Sequence, residues 1–430
     1  MQQRFFSQQN TYYFIGSIIL LAFLYFECFV HPDKDFDVFI GASKLIADGK
    51  TCYNVWLPVG GSFLLYYYSP LFAVLLTPLT FLPQYFYNVI WFVLNLWFLY
   101  RIIKLLFYYL DFSRLTNRNR NLLIALILIA NLRFLVFNFD LGQMTIFLVF
   151  ASLESIRLIT NGQKIMGSAL LALAINIKLL PITLLLFLFY RAEYKSSLLV
   201  VFFSLIFLFL PVLFIGYDFN NILIADWWSI MSTTTDNSLL EDLGRPGLSS
   251  FILSILHETE GKVAFSRNLF SLNIETANFV LNIVRGLLVI LTLYFLRWPP
   301  FKKNSNVFLN FYALSYIMLV TPLVFPHQNM YSFFYLLPAY SYLIYFAMKL
   351  FALKQENNNY LIPLKFKVGI AGIMLSFVFI TLSSDGIIGR NYSDIAEHFH
   401  FIAIGTFMLI ISLILFNPDR IIENGVRPDK

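Results

Sequence analysis

The sequence predicts an all-α polytopic membrane protein, and three observations support this fold class. Of the 430 residues, 59% are hydrophobic and 13% are charged, whereas a soluble protein has about 45–50% apolar and about 25% charged residues. The charged residues form clusters that are separated by long uncharged runs. Aromatic residues reach 19%, which is typical of lipid-facing helices and interfacial belts. This composition excludes a soluble globular enzyme, a coiled coil and a disordered chain.

Long apolar runs predict about twelve transmembrane helices, because one span needs about 20 mostly apolar residues. The fifth and sixth runs are short, and they meet near Lys178 and Pro181. The run at 71–82 is also short and lies between two prolines, so we expect an interfacial or re-entrant helix there. The twelve predicted spans are 12–30, 86–109, 121–137, 143–159, 165–177, 180–190, 197–216, 276–297, 306–323, 331–351, 366–382 and 399–416.

The distribution of charge predicts the orientation of these spans. If the N-terminus is cytoplasmic and each span crosses once, the inner segments hold 20 of the 30 Lys and Arg but 7 of the 24 acidic residues. An excess of Lys and Arg on the cytoplasmic side is expected of a membrane protein. A further crossing at 71–82 would place Arg114, Arg118 and Arg120 outside. The bias therefore favours twelve spans with both termini in the cytoplasm.

This topology gives one integral-membrane domain over 1–416 and a polar cytoplasmic tail over 417–430. Two large loops, at 31–69 and 217–275, lie on the extracytoplasmic side, and we expect interfacial helices in them. No nucleotide-binding or zinc-protease motif occurs, and the scattered positive charge excludes nucleic acid as a partner. We therefore expect a multi-pass protein of the plasma or inner membrane whose active site is extracytoplasmic.

The first outer loop carries two acids at the start of a predicted amphipathic helix. Asp35 or Asp37 could act there as a general base. Alternatively, Asp35 only caps the helix and Asp37 is favoured by the helix dipole. Two helical positions that are two residues apart point about 200° apart, so both acids cannot face one hydroxyl. Gly49 can end the helix in the left-handed conformation. The apolar side of this helix is formed by Val38, Phe39, Ala42, Leu45 and Ile46.

Further polar residues lie at the outer ends of predicted spans. Tyr68 ends a run of three tyrosines that fits either an interfacial belt or stacking on a sugar ring. Arg133 and Asp140 are costly at that depth unless they pair or face water. They could form a structural pair, or Arg133 could bind phosphate. Lys178 could hold a lipid phosphate as a point charge or anchor a lipid headgroup.

The later outer segments add three more candidates. Arg245 could stabilise a leaving phosphate, and Asn237 lies in the same large loop. His327 lies in an outer turn bracketed by prolines, where it is either structural or functional. Acids and His327 could converge on a divalent metal, but no ligand spacing indicates one. We therefore expect no required metal or cofactor.

These pieces together resemble glycosyltransferase family 87, the polyprenol-phosphate-mannose-dependent mannosyltransferases of the GT-C superfamily. The resemblance covers nearly the whole chain, and its motifs are specific as an ordered set rather than singly. The matching pieces are Asp35-Phe36 with Val38-Phe39, Ala42, Gly49 and Tyr53; Tyr68-Ser69-Pro70-Leu71 with Leu82-Pro83; Gly142-Gln143; Lys178 with Pro181; Asn237-Ser238-Leu239; and His327.

The resemblance implies a GT-C fold with its active site at the outer leaflet. Such enzymes transfer a hexose, here mannose, from a polyprenyl phosphate with inversion, and the acceptor would be a glycolipid or glycan. The position that matches the catalytic base is Asp35, with His327 assisting it or binding phosphate. Lys178, Arg133 and Arg245 are candidates for the donor phosphate. We expect substrate contacts from Asp37, Tyr68, Asp140, Gln143 and Asn237.

The residues also favour such a donor independently. The candidate polar groups gather on the outer side, where nucleotide sugars are not available, so the sugar donor must be soluble in the membrane. Two other classes stay open. A polysaccharide polymerase or ligase usually relies on arginines in a long outer loop, where this chain has Arg245 and Arg267. A lipid-linked glycan transporter would carry charges near the midplane and show inverted repeats, and Arg285 is the only strong midplane charge predicted here.

Overall fold

The computed structural model describes residues 15–26, 34–110, 115–233, 245–259, 261–296, 301–303, 306–325 and 328–418. Within these ranges the chain is a helical bundle with one short β-hairpin. Six of the described helices are long and apolar enough to cross a membrane, and two bent helix pairs raise the number to eight. The chain is therefore an integral multi-pass membrane protein, as the composition predicts.

The helices are numbered in chain order, and the first ten lie before Leu210. The hairpin β1–β2 and a 3₁₀ helix that extends α3 belong to the same half. The bounds are α1 Ile15–Phe26, α2 Asp35–Ala47, β1 Leu57–Val59, β2 Ser62–Leu64, α3 Pro70–Leu76 with 3₁₀ helix Thr77–Phe81, α4 Gln84–Leu110, α5 Asn117–Ala130, α6 Leu132–Asp140, α7 Thr145–Thr160, α8 Lys164–Ile177, α9 Ile182–Tyr190 and α10 Tyr194–Phe209.

The second half continues with ten further helices. A 3₁₀ helix precedes α16, and a π-helical turn extends α17. The bounds are α11 Val212–Ile215, α12 Tyr217–Thr233, α13 Leu248–Leu256, α14 Ile274–Leu296, α15 Val307–Val324, 3₁₀ helix Met330–Leu336, α16 Leu337–Glu356, α17 Leu364–Phe377 with π turn Val378–Leu382, α18 Asp385–Ile388, α19 Arg390–His398 and α20 Phe401–Leu415.

Helix length alone does not reproduce the predicted number of twelve spans. The predicted spans at 143–159, 165–177 and 180–190 correspond to α7, α8 and α9, which have 16, 14 and 9 residues. A straight span needs about 17–25 residues. The predicted span at 12–30 corresponds in its described part to α1. The number of twelve, and the side on which each loop lies, stay predictions.

The helices differ in how much of their surface the protein covers. For α15, 83% of the apolar window is buried, whereas the corresponding share is 11% for the α10–α11 span and 22% for α14. Every residue of α7 from Thr145 to Ile156 is buried. Thus α7, α15 and α16 form the centre of the bundle, and α10 and α14 present their apolar surface to lipid.

Two helix pairs are sharply bent, and both bends have a local cause. The α5–α6 pair bends by 63° at Asn131, whose side-chain amide donates to the carbonyl of Ile127 at 2.8 Å. The α19–α20 pair bends by 61° at His400, which has a φ of 53°. Such irregular backbone is tolerated at membrane depth only where protein covers it. Asn131 and His400 are both buried.

Helix α2 confirms the amphipathic helix that the sequence predicts within the segment 31–69. Phe39 and Ile46 on its apolar side are buried. Gly49 ends it with a φ of 70°, and the next amide, that of Lys50, donates to the carbonyl of Leu45 at 2.9 Å. The alternative that Asp35 only caps the helix is wrong. Asp35 is the first helical residue, and the N-cap position is Lys34, whose side chain makes no capping hydrogen bond.

The two long segments that are predicted as outer loops, 31–69 and 217–275, contact each other through α12. The hydroxyl of Thr51 donates to Asp226 at 2.7 Å, and the indole of Trp227 donates to the carbonyl of Tyr67 at 3.2 Å. The hairpin β1–β2, which the all-α prediction missed, lies between Thr51 and Tyr67 and turns at Gly60-Gly61. These contacts hold α12 against the segment that leads into α3.

We predict that α3 and its 3₁₀ extension do not cross the bilayer, because the segment is short and a crossing would place the basic start of α5 outside. In a variant with both native cysteines replaced by serine, Asn117→Cys should resist a membrane-impermeant maleimide in intact cells. The exposed Ser266→Cys should react as the outer control. Labelling of Asn117→Cys from outside would show that the segment crosses.

Candidate active site

The first turn of α2 docks onto the turn that joins α6 to α7. The amide of Phe36 donates to the carbonyl of Leu141 at 3.2 Å. The indole of Trp91, from α4, donates to the carbonyl of Gly142 at 2.8 Å. The rings of Phe36 and Trp91 stack with centroids 4.4 Å apart. Three elements that are distant in sequence are thereby fixed together beside Asp35.

The turn itself requires a glycine. Gly142 has a φ of 64°, and a Cβ at this position would lie 2.7 Å from the Cβ of Phe36. Only glycine adopts such a φ without a steric cost and allows this approach. The next amide, that of Gln143, donates to the carbonyl of Asn138 at 2.9 Å. Gln143 is therefore held, almost fully buried, under the first turn of α2.

A chain of hydrogen bonds joins four of the predicted site residues. The ammonium of Lys178 donates to the hydroxyl of Tyr68 at 3.4 Å, and this hydroxyl donates to Oε1 of Gln143 at 3.0 Å. The amide Nε2 of Gln143 donates to Oδ2 of Asp35. Every donor in the chain points from the cation toward the carboxylate, so the bonds polarise one another.

Lys178 reaches this site because α8 ends one residue earlier. Lys178 is extended, with φ −148° and ψ 131°. The side-chain amide of Asn176 donates to the carbonyl of Ser204 at 3.2 Å and fixes the end of α8 against α10. The ammonium lies 5.3 Å from the ring centroid of Tyr68 and 4.7 Å from that of Tyr331. Both rings attract the cation through their faces.

Burial shifts the pKa of both charged groups toward neutral pH. Burial raises the pKa of the Asp35 carboxyl, whereas Lys178 and the hydrogen bond from Gln143 lower it, and the charge of Asp140 raises it further. Burial lowers the pKa of the Lys178 ammonium to about 8, although the charge of Asp35 opposes this change. Shifted acid and base groups of this kind are typical of catalytic sites.

The structure separates Asp37 from Asp35, as the helical spacing predicts. Asp37 accepts a hydrogen bond from the side-chain amide of Gln84 at 3.4 Å, while Asp35 faces Gln143 and Lys178. Burial also raises the pKa of Asp37, and Lys34 opposes this change. The two acids thus have different neighbours. Asp37 does not join the hydrogen-bond chain between Asp35 and Lys178.

Arg133 lies in a different network from Asp35 and Lys178. Its guanidinium pairs with Glu397 at 2.6 Å and donates to Ser383 at 3.0 Å. Lys262 contacts the other oxygen of Glu397. The suggested structural pair of Arg133 with Asp140 is therefore wrong, because Arg133 binds α19 instead. Arg133 is also almost fully buried, so the structure does not bring it to the site where a donor phosphate is expected.

The remaining candidates are placed as follows. The backbone carbonyl of Arg245 accepts a hydrogen bond from His400 at 3.2 Å, and its charge acts on Tyr331 at the edge of the site. Asn237 and His327 lie outside the described residues. In the part of the chain that the structure describes, no three His, Cys, Asp or Glu side chains converge as metal ligands. The expectation that no metal is required stays a prediction.

Tyr331 is the site residue that the sequence analysis missed. It lies in the 3₁₀ helix before α16, four residues after His327. Its ring contacts Lys178, and the charge of Asp35 acts on it. The proximity to His327 in the same outer turn was the one signal in the sequence. Tyr331 lies in an apolar run that contains several other aromatic residues, so the sequence gives no further indication of its role.

A half-buried acid and a cation, joined by an oriented hydrogen-bond chain within a membrane bundle, form an arrangement that is typical of a membrane enzyme. The profile of glycosyltransferase family 87 matches residues 66–326, which is more than half of the chain. The chain therefore belongs to glycosyltransferase family 87 and is a membrane glycosyltransferase, as the sequence motifs indicate. No curated protein matches it significantly.

The matched range includes three of the four residues of the hydrogen-bond chain, namely Tyr68, Gln143 and Lys178. It begins after Asp35, so the role of Asp35 rests on its position in the structure and on the resemblance of its motif. Family membership favours glycosyl transfer over transport. The match does not specify the sugar, the donor or the acceptor.

We predict that Gly142→Ala weakens both the fold and the activity. A non-glycine residue in the left-handed region costs about 1–2 kcal/mol, and the new Cβ would also displace Phe36 and with it Asp35. The midpoint of thermal unfolding in detergent should fall. Gly286→Ala on α14 is the matched control, because nothing lies within 4 Å of its Cβ position. Equal stability of the two variants would contradict the proposed role of the turn.

Proposed function

We propose that this glycosyltransferase moves mannose, or another hexose, from a polyprenyl-phosphate donor to a glycolipid or glycan acceptor with inversion. The observation that carries the proposal is the connection of Asp35 to Lys178 through Gln143 and Tyr68. The reaction needs a base for the acceptor hydroxyl and a cation for the leaving phosphate. The cluster offers one of each. Mannose itself is supported only by the resemblance to the family.

In the proposed reaction the acceptor oxygen attacks the anomeric carbon as the bond from that carbon to the phosphate oxygen breaks. Asp35 takes the proton of the acceptor hydroxyl. A raised pKa makes its carboxylate a stronger base than an exposed aspartate, and proton transfer to a base of matched pKa contributes to catalysis. The polyprenyl phosphate leaves with the bonding electrons. Its growing charge is stabilised by the ammonium of Lys178.

The intervening side chains support both roles. The side-chain amide nitrogen of Gln143 donates to Oδ2 of Asp35, which orients the carboxylate and leaves Oδ1 for the acceptor. Tyr68 accepts from Lys178, and its ring packs edge to face against Phe39 with ring centroids 4.6 Å apart and an interplanar angle of 66°. The ammonium retains further N–H groups for phosphate, because lysine has three donors and Tyr68 accepts one.

We propose that the site is extracytoplasmic and that its donor comes from the lipid phase. The excess of Lys and Arg in the opposite segments supports this orientation. The contacts of α12 with Thr51 and Tyr67 support closure of the two large loops over the sugar, which would exclude water as a competing acceptor. A phosphomonoester leaving group carries less charge than a diphosphate, so the proposal needs no metal.

We predict that Asp35→Asn loses most transferase activity, roughly 10²–10⁴-fold, which is the usual contribution of a general acid or base. Asparagine keeps the size of the side chain but cannot take the proton. The turnover number should be measured in membranes with a short-chain polyprenyl-phosphate mannose and a saturating glycolipid acceptor. The expression level and the thermal unfolding midpoint should stay close to those of the wild type.

Asp37→Asn is the matched control, because Asp37 lies in the same helical turn and bonds Gln84 instead. It should retain most activity. Near-normal turnover of Asp35→Asn would remove Asp35 as the base. A large loss in Asp37→Asn with an active Asp35→Asn would move the base to Asp37 and leave the reaction class standing.

We predict a bell-shaped pH profile of kcat/KM for the donor. Activity requires ionised Asp35, so it is lost as the pH falls through the raised pKa of that carboxyl. It also requires protonated Lys178, so it is lost as the pH rises through about 8. Lys178→Arg should retain some activity and move the basic limb out of the measured range, since arginine stays protonated to about pH 12.

Lys178→Met should lower kcat/KM for the donor by about 10- to 100-fold, which corresponds to the loss of a hydrogen bond to a charged group. Lys44→Met is the control, because Lys44 lies exposed at the far end of α2. An unchanged donor dependence in Lys178→Met would leave Lys178 as a headgroup anchor. A basic limb that persists near pH 8 in Lys178→Arg would assign that limb to another group.

A further inference from the structure

Tyr331 contacts the functional cation but has no part in the reaction proposed above. Its ring centroid lies 4.7 Å from the ammonium of Lys178, closer than that of Tyr68 at 5.3 Å. The ammonium therefore contacts the faces of two aromatic rings from different elements. Tyr68 comes from the segment before α3, and Tyr331 comes from the 3₁₀ helix before α16. Tyr331 is nearly buried, with 8% of its surface exposed.

A hydrogen bond to the backbone of Tyr331 fixes the position of this residue. The side-chain amide of Asn138 donates to the carbonyl of Tyr331 at 3.0 Å and also to the carbonyl of Phe134 at 2.8 Å. Asn138 is fully buried in α6. The next residue, Ser332, donates to the side chain of Gln328 at 2.8 Å. The start of this 3₁₀ helix is thus fixed to the helix that leads into Gly142 and Gln143.

The groups around Lys178 come from three elements. Asp35 faces it from α2, Tyr68 from the segment before α3, and Tyr331 from the 3₁₀ helix. The charge of Arg245 also acts on Tyr331. Burial disfavours the charged ammonium, and Asp35 and the two ring faces favour it. A long lysine side chain has many rotamers, so contacts with two rings also restrict where the ammonium can lie.

We propose that Tyr331 is a positioning residue that, together with Tyr68, forms an aromatic clamp on Lys178. The clamp keeps the ammonium protonated and directs it toward the leaving phosphate. This inference rests on the proposed role of Lys178 in donor binding. It assigns the effect to the ring face of Tyr331 and not to its hydroxyl, since the contact is with the ring.

The test measures the protonation of Lys178 without any substrate. The detergent-solubilised full chain is reacted with acetic anhydride over a range of pH, and the acetylation of Lys178 is followed by peptide mass spectrometry. Only the neutral amine reacts, so the rate reports its titration. We expect a midpoint near 8 in the wild type. The basic limb of kcat/KM for a short-chain polyprenyl-phosphate mannose gives the same midpoint independently.

Tyr331→Leu removes the ring, and the midpoint should fall by about 0.5–1.5 pH units, the shift expected for the loss of one cation–π contact. Tyr331→Phe keeps the ring and should retain a midpoint close to that of the wild type. Phe333→Leu is the matched control. It removes an aromatic ring from the same 3₁₀ helix, but the ring of Phe333 packs on Phe134 and not on Lys178. Its midpoint should not move.

An unchanged or raised midpoint in Tyr331→Leu would overturn the clamp, because burial and Asp35 alone would then set the titration. A fall in Tyr331→Phe equal to that in Tyr331→Leu would overturn the assignment to the ring. A shifted midpoint in Tyr331→Leu combined with normal donor kinetics in Lys178→Met would support the clamp and reject the phosphate-binding role of Lys178. The failures of the two proposals are therefore distinguishable.

Discussion

The docking of α2 onto the turn between α6 and α7 is the interaction on which the site depends. It requires that the backbone of Gly142 pass against Phe36, and it places the buried amide of Gln143 beneath Asp35. The acid stands on the first turn of a short helix, and its hydrogen-bond partner stands at the start of a central helix. A contact between two backbones thus controls the geometry of a carboxylate that neither element could orient alone.

The site differs from the other charge pairs of this protein in how its charges meet. Arg133 and Glu397 are in direct contact at 2.6 Å, and Arg157 contacts Glu154 at 2.7 Å. Direct pairs of this kind neutralise charges that would be costly to bury alone. Asp35 is connected to its cation through the side chains of two other residues. This separation leaves both charges able to interact with a substrate, at the cost of a less favourable solvation.

The same separation gives the aromatic residues a function that packing alone would not require. Among the described residues Lys178 has no direct acidic partner, so other groups must favour its charged form, and ring faces do this without consuming its N–H donors. Tyr68 combines both contributions, because its ring faces the ammonium and its hydroxyl continues the hydrogen-bond chain. Helix α6 connects these parts, since Asn138 binds the backbone of Tyr331 and of Gln143.

The sequence by itself determined the membrane class, the helix α2 with its two diverging acids, and the family, because composition, helical periodicity and ordered motifs are local properties of the chain. Each residue of the hydrogen-bond chain was also predicted from the sequence, but as a separate candidate. Only the tertiary structure decided which of them meet. Arg133 finds its partner 264 positions away in Glu397, and Tyr331 reaches Lys178 from a different element. The helix bends at Asn131 and His400 also make the observed helices differ in length from the predicted spans. Such contacts depend on how bent helices pack across the bundle, and no local periodicity encodes that packing.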